Sequence, residues 1–117
     1  MLTLDQLFLI LKDQPENINF DDIIALIDKL CDFTPTAFKN GEVYNQAGEN
    51  NGSCKLLFFA REQQLSETDT LHCFGEHHQM VLKNPRGTDH ANIRQFMKTG
   101  WSGISYESNS VLIKKPG

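Results

Sequence analysis

Leu4, Leu7, Phe8 and Leu11 of "TLDQLFLILKD" recur at the spacing that lays one apolar stripe along a helix. Thr3 and Gln6 stand three residues apart at its start, where their side chains can bond each other's backbone N–H groups. Together they predict a first helix. Beyond Pro15 the pattern resumes in "NFDDIIALIDKLCDF". Asn19 is placed to cap this second helix, Asp21 and Asp22 lie against its positive end, and Ile23, Ile27, Leu30 and Cys31 turn inward. Pro35 is expected to close it, because the residue before a proline avoids the helical region.

The stretch "FKNGEVYNQAGENNGS" breaks the helical period, and its "NG" and "AG" dipeptides mark turns around one short strand, Glu42 to Asn45. "SCKLLFFAREQQ" is then apolar nearly all round for two turns, which predicts a helix at the centre of the fold. Ser66 and Asp69 open another helix through "ETDTLHCFGEHHQMVL", with Leu71, Phe74, His78, Val81 and Leu82 on one side and Gly75 as the place where it can break. "NPRG" reads as a tight turn, with Thr88 as N-cap and Asp89 as the first-turn carboxylate of a helix running to Thr99. On that helix His90, Ile93, Met97 and Trp101 share an inward arc, Gly100 sits at its edge and Arg94 borders it. "GISYESNSVLIKK" offers two β-prone runs around a polar turn, read as a hairpin.

These elements predict a single domain over residues 1–117. Its expected class is α+β, predominantly helical, with about five helices and a small antiparallel sheet from the C-terminal hairpin, joined by the Glu42–Asn45 strand. A length of 117 residues with 39% hydrophobic content fits one core and is too short for two ordinary domains. Eleven basic against fifteen acidic residues leave a net charge of −4 and no basic stripe, which argues against nucleic acid as a partner. The runs "LFLIL" and "KLLFFA" fall short of the roughly 20 residues that span a bilayer, and "MLTLDQLF" lacks the basic start of a secretory signal. No membrane association is expected. Cys31, Cys54 and Cys73 make an odd count without CxxC spacing, so reduced thiols and a reducing compartment are expected.

Three chemistries fit the residue types. A cysteine hydrolase would use Cys54, near a helix N-terminus that lowers thiol pKa, with His90 as base and Asn92 or Asp89 as its orienter. A metal site would use Cys73, His77 and Met80, which recur on one helical face with His72 nearby, a soft-ligand set. A binding module would line a pocket with Trp101, Tyr106, His90 and Arg94, the guanidinium recognising a carboxylate or phosphate. Each has a structural counterpart: a hydrogen-bonded half-buried histidine, a packed thiol, a tryptophan that fills the core.

"TPTAFKNGEVYNQAGENNGSCKLLFFA", "LSETDTLHCFGEHHQMVL" and "NPRGTDHANIRQFMKTGWSGI" together resemble the HopJ family, small bacterial proteins named after a type III effector of plant pathogens. The Asp-His-Ala-Asn-Ile-Arg and Gly-Trp-x-Gly-Ile runs are the specific part, and the resemblance covers Phe20 to Ile104. It implies a protein of unknown biochemistry, held in the bacterial cytoplasm or secreted by a type III system. Binding or interaction is favoured over catalysis. The expected partners are a protein or a small anionic ligand, the expected state is a monomer, and no cofactor is expected.

Overall fold

A computed structural model describes residues 1–116. Six α-helices lie among them: α1 (Leu4–Asp13), α2 (Phe20–Leu30), α3 (Asn51–Glu62), α4 (Glu67–Cys73), α5 (Glu76–Lys83) and α6 (Ala91–Thr99). Five three-residue strands accompany them: β1 (Cys31–Phe33), β2 (Phe38–Asn40), β3 (Val43–Asn45), β4 (Ile104–Tyr106) and β5 (Leu112–Lys114). The class is α+β and predominantly helical.

Helix starts follow their local chemistry. The Thr3 hydroxyl accepts the Gln6 N–H at 3.2 Å and the Gln6 amide oxygen accepts the Thr3 N–H at 2.9 Å, a complete capping box. Asn19 accepts from the N–H groups of Asp21 and Asp22, and the Ser66 hydroxyl accepts from that of Asp69. Each bond satisfies a first-turn donor that has no intrahelical acceptor. The inward stripes are only partly as expected: Leu7, Leu11, Ile23 and Ile27 are buried, whereas Phe8 and Leu82 are exposed.

The strands pair differently from the hairpin reading. The two C-terminal runs are both strands, but β4 pairs antiparallel with β2 and β5 pairs antiparallel with β1. The polar stretch between them crosses from one sheet to the other. Two backbone bonds fix this crossing: Glu107 N–H to the Ala37 carbonyl at 3.1 Å and Thr34 N–H to the Val111 carbonyl at 2.9 Å. The pairing of β1 also ends α2 at Leu30, so Cys31 lies in a strand rather than on the helix. The Glu42–Asn45 strand is present as β3, in a hairpin with β2 whose turn carries Gly41 at φ +58°. The order β3-β2-β4 makes the larger sheet.

Helix α3 is central, with Cys54 and every residue from Leu56 to Ala60 buried. The expected long helix after Ser66 is broken into α4 and α5 at Gly75, which sits at φ +58° and ψ −128°. A Cβ there would stand 2.8 Å from both the Ile18 oxygen and the Phe20 nitrogen, so the backbone entering α2 occupies that space. Glu76, next in the chain, accepts the Phe20 N–H at 2.8 Å and an Asn19 amide N–H at 3.2 Å, joining the starts of α2 and α5. That backbone bond holds the Glu76 carboxyl below the usual carboxylate range. Among the described residues no helix is long and apolar enough to cross a membrane.

Gly75→Ala forces both a backbone region that non-glycine residues avoid and a clash with fixed backbone. Urea unfolding is expected to show a loss of at least about 2 kcal/mol. A loss below about 0.5 kcal/mol would mean that the α2 entry yields freely.

Candidate functional site

The turn before α6 is set by Arg94. Its Nε donates to the Asp89 carbonyl at 2.6 Å, Nη1 to the Asn84 carbonyl at 2.9 Å, and Nη2 to the Asp89 carboxylate at 2.6 Å. Gly87 makes room for this fork, since a Cβ there would lie 2.6 Å from Nη2. The guanidinium holds the Asp89 carboxyl below its usual range. With Asp89 drawn back onto Arg94, the chain passes through His90 at φ 51° and ψ 50° and enters α6 only at Ala91. Thr88 therefore does not cap the helix, Asp89 is not in its first turn, and His90 is not on its inward arc. Met97 is exposed, and Phe96 fills the core position instead.

Asn50, before α3, adopts almost the same left-handed geometry, φ 51° and ψ 48°. An N-cap residue usually has extended backbone, which aims its side chain at the following N–H groups. Neither Asn50 nor His90 makes that bond. The first turns of α3 and α6 thus keep uncapped donors, and both open onto one cleft of about 230 Å³ lined by Asn50, Gly52, Ser53, His90, Asn92 and Ile93. Phe20, Phe74 and His77 complete its wall. Gly52 permits the approach of Phe20, whose Cζ would stand 2.9 Å from an added Cβ.

Two imidazoles meet at the cleft. The His77 and His90 ring centroids are 5.0 Å apart, and Phe20 packs edge-on against His77 at 4.9 Å. Nδ1 of His77 is buried without a hydrogen-bond partner. The nearest carboxylate oxygen to His90 is Asp89 Oδ2, 4.0 Å from Nε2 and tied to Arg94 through its other oxygen. Among the described lining residues there is no Asp or Glu.

Behind the cleft lies a cluster of amides. Asn92 Nδ2 donates to Asn45 Oδ1 at 2.9 Å, and Asn45 Nδ2 donates back to Asn92 Oδ1 at 3.1 Å, a reciprocal pair. Asn40, fully buried, donates to both the side-chain and the backbone oxygen of Asn92, and Asn50 donates to Asn45 Oδ1 at 2.8 Å. One network therefore joins β2, β3 and the starts of α3 and α6.

The hydrolase set is not assembled. Cys54 is 1% exposed, its thiol donates to the Thr36 carbonyl at 3.5 Å, and burial pushes its pKa up rather than down. It does not line the cleft that holds His90, while Asn92 is spent on other asparagines and Asp89 on Arg94. The metal set is dispersed because the break at Gly75 puts Cys73 on α4 and His77 and Met80 on α5. Cys73 is buried, its thiol pushed up to about 12 by desolvation and then by Asp69, whereas Met80 is exposed. Among the described residues no group of three or more His, Cys, Asp or Glu could hold a metal ion.

The four pocket residues also separate. Trp101 donates from Nε1 to the Leu65 carbonyl at 3.0 Å and packs edge-on against Phe96 at 5.0 Å. Tyr106 donates to the Cys54 carbonyl at 2.8 Å, and burial pushes its phenol pKa up. Arg94 faces a different groove from His90. Of the expected ligand-binding residues, only His90 reaches the cleft. Its partners there come from elements distant in the chain, Asn50 and Ser53 from the start of α3 and His77 from α5, so no local spacing joins them to His90.

The profile of the HopJ type III effector protein family matches residues 4–111. The fold is similar to the crystal structure of the unknown-function protein VPA0580, with a TM-score of 0.92 and 45% identity, covering 97% of this chain and 95% of that one. No curated protein matches the chain.

Native protein treated with iodoacetamide at neutral pH is expected to be labelled only at Cys31, the one partly exposed thiol of the three. Mass spectrometry should find Cys54 and Cys73 modified only after unfolding. Rapid native labelling of Cys54 would restore the catalytic thiol.

Proposed function

The chain belongs to the HopJ type III effector protein family, and on that premise we propose that it is a binding module whose cleft takes a small anionic group, a phosphate or a carboxylate. The observation that carries this reading is the convergence of two uncapped helix starts on one cleft beside His77 and His90. Each start presents backbone N–H donors and the positive end of a helix dipole, the combination that holds anions elsewhere. The Ser53 side chain and two imidazoles add polar groups, and Phe20 and Phe74 supply an apolar wall for the rest of a ligand. A lining without carboxylates keeps the cleft hospitable to negative charge in a chain of net charge −4. The family description supports delivery by a type III system as the setting.

Titration of inorganic phosphate into isotope-labelled protein tests this directly. Amide shifts are expected at Gly52, Ser53, Asn92 and Ile93, with shifts of the His77 and His90 rings. In His77→Ala and His90→Ala variants the binding should weaken by about tenfold or more, the cost of losing one charge-assisted or neutral donor in a partly enclosed site. Shifts confined to surface lysines and arginines would contradict the reading.

A further inference from the structure

On a separate face, α5 and α6 enclose a groove of about 410 Å³ lined by Val81, Leu82, Pro85, Gly87, Arg94, Met97 and Lys98. It shares no residue with the histidine cleft. Its apolar lip is open to solvent: Leu82 is 55% exposed and Met97 44%, while Val81 forms a buried floor. Large side chains so exposed are costly to leave in water, and together they form a patch rather than scattered positions.

The stretch of chain that supplies most of this groove is opposite in charge to the chain as a whole, with Arg94 and Lys98 in the lining and Lys83 and Arg86 next to lining residues in sequence. Residues 83–98 carry four cations, Lys83, Arg86, Arg94 and Lys98, against one carboxylate, Asp89; the other residues carry seven cations against fourteen carboxylates. Asp89 is matched by Arg94 within the turn. Lys83, Arg86 and Lys98 are exposed and enter no salt bridge among the described residues, so their charge is available to a partner. The groove is also preformed, because the Arg94 fork fixes the Asn84–Asp89 turn that makes one end of it. A surface that needs no ordering on association loses less entropy when it binds.

We propose that this groove docks an acidic segment of a partner protein, which inserts a large apolar side chain between Leu82 and Met97 and sets its carboxylates against Lys83, Arg86 and Lys98. Apolar anchorage supplies the affinity, and the cationic rim supplies selectivity and fast encounter. The occupant is a peptide segment rather than nucleic acid because the groove lining is mostly apolar and holds no aromatic platform for a base.

A display library of short random peptides, selected against the full chain, tests the proposal without presupposing the partner. The enriched sequences should be net acidic and carry a large apolar residue. The most enriched peptide, labelled and followed by fluorescence anisotropy, should bind more weakly as salt rises. It should lose at least about tenfold in affinity with Met97→Glu and with Lys98→Glu. Both positions are exposed, so unchanged thermal unfolding of the variants will show that the fold is intact. No enrichment, enrichment of neutral or basic sequences, or affinity indifferent to both substitutions would overturn the proposal.

Discussion

The reciprocal amide pair between Asn45 and Asn92 is the constraint on which the rest of the site depends. Three-residue strands contribute little by themselves, and β2, β3 and β4 form a sheet too small to be independently stable. The asparagine network ties that sheet to α6 through Asn92 and to the start of α3 through Asn50. Asn40, Asn45 and Asn92 are removed from water, so a broken pair among them would leave amides without partners at a cost of about 1–3 kcal/mol each. Hydrophobic burial around α3 holds the helices together; the amides determine where the sheet sits against them. The network also commits the Asn92 and Asn50 side chains to Asn45, and the first turns of α3 and α6, without side-chain caps, supply Gly52, Ser53, Asn92 and Ile93 to the cleft lining.

A second constraint acts on the same helix from its other side. Arg94 satisfies two carbonyls and a carboxylate of the preceding turn, and the bonds it makes bring the chain into α6 through a left-handed His90. A non-glycine residue in that region is uncommon and is sustained only by surrounding contacts. The guanidinium is therefore a positioning group for His90 and for the groove wall at Gly87, not an open anion receptor. The arrangement divides labour on α6: its N-terminal turn faces the histidine cleft, and its Arg94, Met97 and Lys98 face the cationic groove.

What could be read from the sequence follows from how local each interaction is. Thr3 with Gln6, Asn19 and Ser66 each bond N–H groups within three residues, so their role was visible in a short window. Gly75 is legible as a breaking point from its residue type alone, although the backbone that demands it, at Ile18 and Phe20, is distant in the chain. The cap at Thr88 had equally good local chemistry but lost to Arg94, whose hold on the Asn84 carbonyl ten residues away no window at the helix start contains. Strand β1 carries no local signal because its partner lies far along the chain, Cys31 facing Lys114, whereas β2 pairs with the adjacent β3 and is hidden because its "FKNG" reads as a turn. Asparagine reads as loop in sequence, so the burial of Asn40, Asn45 and Asn92 had no signal. The site suffered most from this. His90 meets His77 rather than Cys54 or Trp101, and the Gly75 break separates His77 from Cys73.

The most direct test of the central claim is a double-mutant cycle on Asn45→Ala and Asn92→Ala, followed by urea unfolding. If the reciprocal pair fixes the sheet against α6, the double variant will be less destabilised than the sum of the single ones, with a coupling of about 1–2 kcal/mol. Additive losses, within about 0.5 kcal/mol, would contradict the account and show that packing around α3 sets the sheet without the amides.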